Sequence, residues 1–171
     1  VIGDGVEKIP SYLFYGCTSL ASVKIGNSVA SIGDRVFYGC TGLAGVTIGN
    51  SVASIGSYAF VDCTSLTSVT IPDSVTSIGE DAFYHCTGLT SMTIGSGVTS
   101  IGDRVFSGCT GLTSVAIPDS VTSIGEFAFS GCSGIKEVYY NAKAAADLPN
   151  SYHAAFPGVG DSTSGVKVFI G

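Results

Sequence analysis

A stretch of 23 residues, TIPDSVTSIGEDAFYHCTGLTSM at positions 70–92, decides the fold, because near-copies of it fill most of the chain. Repetition at a fixed period of this length is typical of solenoid proteins. The six copies are residues 1–23, 24–46, 47–69, 70–92, 93–115 and 116–138. Columns that never change between copies are those that every turn of one architecture requires. Columns that change are available for another role.

Each copy predicts two short strands joined by turns. Residues 89–94 alternate and are rich in β-branched side chains, which is typical of a strand, and residues 75–78 form a second candidate. The Pro-Asp-Ser sequence at 72–74 predicts a tight turn, in which the proline presets φ and the aspartate bonds its own backbone. Gly79 then leads into an expected short helical or 3₁₀ piece that contains Ala82 and Phe83. Gly and Pro interrupt the pattern too often for long helices.

The apolar columns predict a β-dominated solenoid with parallel strand ladders. One copy cannot bury its apolar side alone, whereas stacked copies share a continuous core. One phenylalanine per copy is expected to form an aromatic spine through this core: Phe14, Phe37, Phe60, Phe83, Phe106 and Phe129. Such residues are structural whatever the protein does.

One cysteine per copy also falls in a single column: Cys17, Cys40, Cys63, Cys86, Cys109 and Cys132. Equivalent positions in stacked coils lie about 4.8 Å apart with parallel side chains, which is a poor approach for a disulfide. We interpret the column as a buried ladder of free thiols that act as small hydrophobes. Metal binding is the alternative, although no close pair of the CxxC type is present.

The period breaks after residue 138, yet later segments still resemble the repeat. Ala155-Phe156 matches the Ala-Phe pair of the copies, and residues 168–171 match residues 46–49. We therefore predict two parts, six repeats over 1–138 and a degenerate C-terminal repeat or cap over 139–171. The first copy begins directly at a strand, which indicates either a piece of a longer protein or an exposed first coil.

Composition excludes several classes of protein. With 45% hydrophobic and only 12% charged residues, the 171-residue chain is expected to form one ordered domain. Its net charge of −6 and its seven scattered Lys and Arg residues argue against a nucleic-acid partner. No apolar run approaches the ~20 residues of a membrane span, so we expect no membrane insertion.

Residues 112–132 read Leu-x-x-Val-x-Ile-Pro-x-Ser-Val-Thr-Ser-Ile-Gly-x-x-Ala-Phe-x-x-Cys, and they closely resemble the BspA-like leucine-rich repeats. The resemblance implies a right-handed leucine-rich-repeat coil, found in surface and secreted proteins of host-associated bacteria and some protists. Several of these proteins are adhesins, and the family has no shared catalytic residues. We therefore expect a cell-surface or secreted protein. The absence of an Asn-x-Ser/Thr sequon favours a bacterial source over a protist one.

Candidate chemistry is sparse. No nucleophile elbow, phosphate loop or zinc motif occurs, and the two histidines, His85 and His153, are interpreted as surface or cap residues. One column collects carboxylates, namely Asp34, Glu80, Asp103 and Glu126. A pair of them at ~4.8 Å is compatible with a calcium site or an acid–base pair. A solvated face, balanced by Arg35 and Arg104, is favoured because calcium takes six or more oxygen ligands. We predict no enzyme activity, no catalytic or metal-binding residues and no cofactor.

The columns around the Ala-Phe pair vary most between copies, and they carry the residue types that anchor interfaces. The predicted binding edge consists of Tyr12, Tyr15, Arg35, Tyr38, Tyr58, Tyr84, His85, Arg104 and Phe127. The alternative is that these rings only cover the edge of the core. A second surface, the strand face, is small and neutral; it presents Ser22, Lys24, Ser68, Thr70, Ser91, Thr93, Ser114, Ala116, Glu137 and Tyr139.

These observations predict a non-catalytic protein-binding module, of the adhesion type, in a cell-surface or secreted leucine-rich-repeat protein. The expected partner is a host or cell-surface protein or a glycan. The alternative is a passive structural spacer that presents another domain of a longer surface protein.

Overall fold

The computed structural model describes residues 1–3, 5–140, 155–156 and 167–170, and in them the chain forms a β-solenoid of stacked coils. Coils 1 to 6 correspond to the six copies of the repeat. The described residues contain the strands β1 (Lys8–Ile9), β2 (Ser22–Lys24), β3 (Ser31–Ile32), β4 (Gly45–Thr47), β5 (Ser54–Ile55), β6 (Ser68–Ile71), β7 (Ser77–Ile78), β8 (Ser91–Ile94), β9 (Ser100–Ile101), β10 (Ser114–Ile117), β11 (Ser123–Ile124), β12 (Glu137–Tyr140) and β13 (Lys167–Ile170). Within the described residues, no helical segment has the length and apolar character that a membrane crossing requires.

The strands form two parallel ladders, as the repeat predicts. The short strands pair in the order β1-β3-β5-β7-β9-β11, and each pairing shifts the register by one repeat, as in Ile55 opposite Ile78. The longer strands form the sheets β2-β4, β6-β8 and β10-β12-β13, with Val69 opposite Met92. In β1 to β12 the isoleucines and most of the valines lie on the core side, with Ile124 half-buried, and the intervening Ser, Thr and Lys lie on the more exposed side.

The third side of each coil carries the spine phenylalanine and is held by another pattern of hydrogen bonds. It is called the Ala-Phe side because alanine precedes the phenylalanine in coils 3, 4 and 6. The N–H groups of Arg35 and Phe37 donate to the carbonyls of Ser57 and Ala59 in the next coil, at 3.0 and 2.8 Å. The same forward bonds join each coil to the following one, from Tyr12 N–H in coil 1 to Phe129 N–H in coil 6. The N–H group that follows each phenylalanine bonds within its own turn, as Tyr38 N–H does to the carbonyl of Arg35 at 3.4 Å.

In coils 1 to 6 this side is a series of turns, which corrects the expected short helical or 3₁₀ piece for these coils. The physical reason is two residues per coil with positive φ, a conformation that interrupts right-handed helical geometry. The first such column holds Tyr12, Arg35, Tyr58, Asp81, Arg104 and Phe127, with φ between 51° and 65°. The second holds Gly16, Gly39, Asp62, His85, Gly108 and Gly131.

The predicted aromatic spine is present. Successive phenylalanine rings from Phe14 to Phe129 stack with centroids 4.9–5.4 Å apart and interplanar angles of 18° or less. All of them are buried except Phe14, which is half-buried in coil 1. The rings therefore fill one side of the core continuously across the coils.

The cysteine column lies beside the spine, and all six residues are free thiols. From Cys40 onward each Sγ donates to the carbonyl of the phenylalanine in the preceding coil, at 3.0–3.3 Å. Burial raises the pKa of the Cys40 thiol to about 11 and raises the pKa of Cys63 further. Cys17 departs from the expected buried ladder, because it is exposed in the first coil.

The tight turn at 72–74 is present, since Val75 N–H donates to the carbonyl of Pro72 at 3.1 Å. The aspartate does not bond its own backbone, however. Asp73 Oδ1 accepts from Ser96 N–H in the next coil at 2.7 Å, and Asn27 Oδ1 accepts from Asn50 N–H at 3.0 Å. The stacked coil brings the N–H of its neighbour within reach, so these side chains join coils.

Two pieces of the C-terminal segment lie where the sequence match places them. The ring of Phe156 stacks on Phe129 at 4.4 Å, and β13 pairs with β12 so that Val168 lies opposite Val138. Residues 141–154 and 157–166, which include His153, lie outside the described residues. The division into six repeats and a C-terminal cap therefore remains a prediction.

Candidate binding edge

Most of the predicted edge residues border an open groove of about 440 Å³ on the Ala-Phe side of the solenoid. Its lining residues come from coils 1 to 5: Tyr15, Arg35, Tyr38, Tyr58, Val61, Asp62, Asp81, Tyr84 and Arg104. At ~4.8 Å between coils, five coils give the groove a length of about 19 Å. Because the side chains at its border are spaced by the backbone ladders, their separations are set by the fold.

Tyrosines and one arginine form the N-terminal part of the groove. The rings of Tyr15 and Tyr38 stack with centroids 5.0 Å apart, and Tyr12 lies against Tyr15 at 5.9 Å. The guanidinium carbon of Arg35 lies 4.3 Å from the ring centroid of Tyr58 and 5.7 Å from that of Tyr12. Arg35 Nη1 also donates to the Tyr12 hydroxyl at 3.0 Å. The guanidinium is thus held between two rings by cation–π attraction.

The C-terminal part of the groove is organised by an ion-pair cluster. Arg104 donates from Nε and Nη2 to the two carboxylate oxygens of Asp81, at 3.1 and 3.0 Å, and Nη2 also contacts Glu80. Asp81 is a buried carboxylate, with a side chain only 8% exposed. Its hydrogen bonds raise the pKa of Arg104 above the ordinary value. A two-point contact of this kind fixes the plane of the guanidinium.

A second pair lies beside the groove. His85 Nδ1 is 2.7 Å from Asp62 Oδ1, and both side chains are substantially exposed. The two residues occupy the positive-φ column that holds glycine in coils 1, 2, 5 and 6. Aspartate and histidine are among the non-glycine residues that tolerate this conformation best. Coils 3 and 4 therefore carry polar side chains where the other coils have none.

The structure brings most of the predicted edge together. Six of the nine predicted residues line the groove, and Tyr12 and His85 contact lining residues. Phe127 is 46% exposed but is not a lining residue. Sequence reasoning missed Asp62 and Asp81. The available signal was the repeat itself, since each stands 23 residues before a histidine or an arginine, and so next to it in the stack.

Two carboxylates of the predicted carboxylate column accept backbone hydrogen bonds from the next coil, and a third forms an ion pair. Asp34 Oδ1 accepts from Ser57 N–H and Asp103 Oδ1 accepts from Glu126 N–H, both at 2.9 Å, while Glu80 pairs with Arg104. In the described part of the chain, no group of three or more His, Cys, Asp or Glu residues is arranged to hold a metal ion.

The strand face offers a smaller groove of about 300 Å³ near its N-terminal end, bordered by Ser22, Lys24, Thr47 and Ser68 among others. At its other end Tyr139 stacks on Phe169 with centroids 4.8 Å apart, and both rings are exposed. Sequence reasoning placed Tyr139 on this face but did not find its partner. Among the residues that the structure describes, the strand face is therefore aromatic only at its C-terminal end.

Comparison with known families and proteins agrees with the fold. Residues 7–136 match the model of the BspA type leucine rich repeat region in 6 copies. That model describes a repeat region and indicates no catalytic family. The search of curated proteins gave no match.

Solved structures give the same picture. A leucine rich repeat protein of T. pallidum is 30% identical with a TM-score of 0.72, over 81% of this chain and 66% of that one. A leucine rich cell surface protein of Faecalibacterium prausnitzii is 26% identical with a TM-score of 0.64, over 98% of this chain and 52% of that one. The pneumococcal vaccine antigen PcpA shares the fold. It is 24% identical with a TM-score of 0.66, over 71% of this chain and 30% of that one. The chain thus spans only part of the length of these relatives.

Proposed function

Because the chain belongs to the BspA-type leucine-rich repeat family, we propose that it is a non-catalytic, adhesion-type module that binds a partner through the groove of the tyrosine–arginine edge. The observation that carries the proposal is the groove itself, in which four tyrosines and two arginines from five successive coils converge. Tyrosine and arginine supply much of the energy of protein interfaces, since they combine a large contact area with hydrogen-bonding groups. A rigid solenoid holds them at fixed spacing for a large partner.

The proposed location is the cell surface or the extracellular space. The F. prausnitzii relative is described as a cell surface protein, which supports this location. The partner proposed for such a module is a host or cell-surface protein. The groove also contains acidic side chains, Asp62 and Asp81, and the chain carries a net charge of −6, so neither favours a polyanionic partner.

The test is binding of the 171-residue protein to immobilised matrix proteins, glycans and whole cells. The edge variant combines Tyr38→Ser, Tyr84→Ser and Tyr58→Asn. Asparagine is chosen for Tyr58 because this residue has φ 61°, which asparagine tolerates. The matched control is a strand-face variant, Thr70→Val with Thr93→Val, which removes two exposed hydroxyls at nearly constant volume.

We expect saturable binding that the edge variant loses and the control retains, with both melting like the unchanged protein. Binding lost only in the strand-face variant would move the site to the other surface. No binding by any of the proteins would favour the spacer function. Turnover of a glycoside or peptide library that depends on His85 or Glu80 would contradict a non-catalytic function.

A further inference from the structure

Two arginines occupy the same column of the edge in different surroundings. Arg104 follows Asp81 of the preceding coil and is neutralised by it and by Glu80. Arg35 follows Tyr12, so its nearest neighbour in the stack is a ring and a hydroxyl. Among the described residues, no carboxylate lies within ion-pair distance of Arg35. One repeat position thus holds a paired guanidinium in coil 5 and a guanidinium without a counter-ion in coil 2.

The surroundings of Arg35 suit it to accept an anion from a partner. Tyr58 lies 4.3 Å from the guanidinium carbon, which restrains the side chain without neutralising its charge. Of its donor nitrogens, only Nη1 has a hydrogen-bond partner in the described structure, the Tyr12 hydroxyl. A planar guanidinium whose remaining donors are free binds a carboxylate through two parallel hydrogen bonds. Because a stacked arginine is already ordered, it loses little freedom on binding.

The other end of the groove has the opposite charge. Glu80 and Asp81 carry two negative charges against the single positive charge of Arg104, which leaves one net negative charge in that cluster. Asp62 adds a further carboxylate in coil 3. The groove lining is therefore positive at coil 2 and negative at coils 3 and 4, whereas Arg104 of coil 5 is occupied by carboxylates. The other charged residue of coil 2 on this side, Asp34, does not line the groove. A polyanion would meet repulsion at coils 3 and 4.

We propose that the groove binds an extended segment of a protein partner that bears one carboxylate side chain, placed on Arg35, and one basic side chain, placed near Glu80 and Asp62. This assignment rests on the function proposed above and names the chemistry of its partner. Arg35 and Glu80 lie two coils apart, about 10 Å at ~4.8 Å per coil. A segment in the polyproline II conformation rises about 3.1 Å per residue with three residues per turn, so side chains i and i+3 lie on the same side about 9 Å apart. The recognised pattern is thus an acidic and a basic residue with two residues between them.

The test uses eight-residue peptides titrated into ¹⁵N-labelled protein. The main probe has one Glu and one Lys separated by two serines in an otherwise Gly-Ser sequence. Matched peptides place Glu and Lys side by side or replace Glu with Gln. A sialylated trisaccharide and a heparin octasaccharide test an acidic sugar and a polyanion in the same groove. The amides of Tyr38 in coil 2 and Tyr84 in coil 4 report occupancy of the two proposed contact points.

We expect saturable shifts at both reporter amides with the main probe, and at least fivefold weaker binding for each matched peptide. Arg35→Gln should weaken binding at least tenfold, and Arg35→Lys should recover only part of it, because lysine keeps the charge but lacks the planar fork. Lys24→Gln, which removes the same charge from the strand face, should change binding less than twofold.

The proposal is overturned if 5 mM of the main probe causes no shifts at the groove, if Lys24→Gln weakens binding as much as Arg35→Gln, or if either sugar binds the groove more tightly than the peptide. If the peptides fail while the tyrosine variant still abolishes binding to surfaces, the proposed function stands and only the dipolar pattern is wrong. If the tyrosine variant binds surfaces normally, the edge itself is the wrong site.

Discussion

Replacing Phe83 with Ala should cost far more stability than the same change at Phe14, although both stand in one column. Phe83 is completely buried between the rings of Phe60 at 4.9 Å and Phe106 at 5.4 Å. Burial of the ring contributes about 1.5–3 kcal/mol, and its removal leaves a cavity that both flanking rings hold open. The expected total loss of unfolding free energy for Phe83→Ala is therefore about 3–5 kcal/mol. Phe14 is half-buried and stacks on one side only, so about 1–2 kcal/mol is expected there.

The assay is equilibrium unfolding in urea, followed by far-ultraviolet circular dichroism and by tyrosine fluorescence, since the chain contains no tryptophan. The slope of the free energy of unfolding against urea must be compared along with the midpoint, because a repeat protein that loses cooperativity gives a lower slope. Equal destabilisation of the two variants would refute the idea that burial of the spine phenylalanines stabilises the fold. A loss of unfolding free energy below about 1.5 kcal/mol for Phe83→Ala, with an unchanged slope, would refute it as well.

Three further predictions concern the turns, the ion pair and the thiols. Gly39→Ala should destabilise the protein by about 1 kcal/mol through backbone strain alone, because φ is +70° while the nearest atom lies 3.8 Å from the added Cβ. Gly45→Ala, in an open strand position, should be neutral or stabilising, and the urea midpoints of the two variants test this difference. Asp81→Asn should lower the free energy of unfolding by about 1–2 kcal/mol, because it removes the charge from a buried ion pair while asparagine keeps the backbone conformation. Asp62→Asn, in an exposed pair, should lower it by less than about 1 kcal/mol in the same assay. The pKa of Cys40 is raised to about 11 from 9.0 in the unfolded chain, so its contribution to stability is fully present below pH 9 and about 2–3 kcal/mol of it should be lost as the pH rises to 11. The stability advantage over Cys40→Ala should therefore shrink between pH 9 and 11, and a constant difference would contradict the assignment.

The periodic features were predictable from the sequence because they depend on columns that repeat. The phenylalanine spine, the strand pairs and the position of Ala155-Phe156 follow from matching residue types at a fixed spacing. The Ala-Phe turn was not predictable in this way. A short segment such as 80–86, bordered by glycine, looks helical when only contacts along the chain are considered. Its alternate N–H groups, those of Asp81, Phe83 and His85, instead bond to carbonyls of the next coil.

The charged contacts escaped prediction for a related reason. Asp81 stands in a column where other coils have tyrosine, arginine or phenylalanine, and Asp62 stands in a column that is mostly glycine, so neither is marked by repetition. Their partners, Arg104 and His85, lie in the neighbouring coil. Such pairs are found by comparing each residue with the one 23 positions later, which is its neighbour in the stack. Listing the residue types found at each repeat position does not identify them. The binding function of the edge remains a proposal.

The forward hydrogen bonds give the Ala-Phe side of the solenoid its own electrical direction. The carbonyl of Asp34 accepts from Tyr12 N–H in the coil before it, while the next N–H in the chain, that of Arg35, donates to the coil after it. The peptide group between these two residues therefore lies along the solenoid axis, and the equivalent groups of later coils lie in line with it. Aligned peptide dipoles add, as they do in a helix. Because the positive ends of this row face the C-terminal coil, another coil stacked head to tail extends the row, and one stacked head to head opposes it. Beside the short-strand ladder the direction is reversed, since Gly33 N–H donates to the carbonyl of Ile9 in the preceding coil.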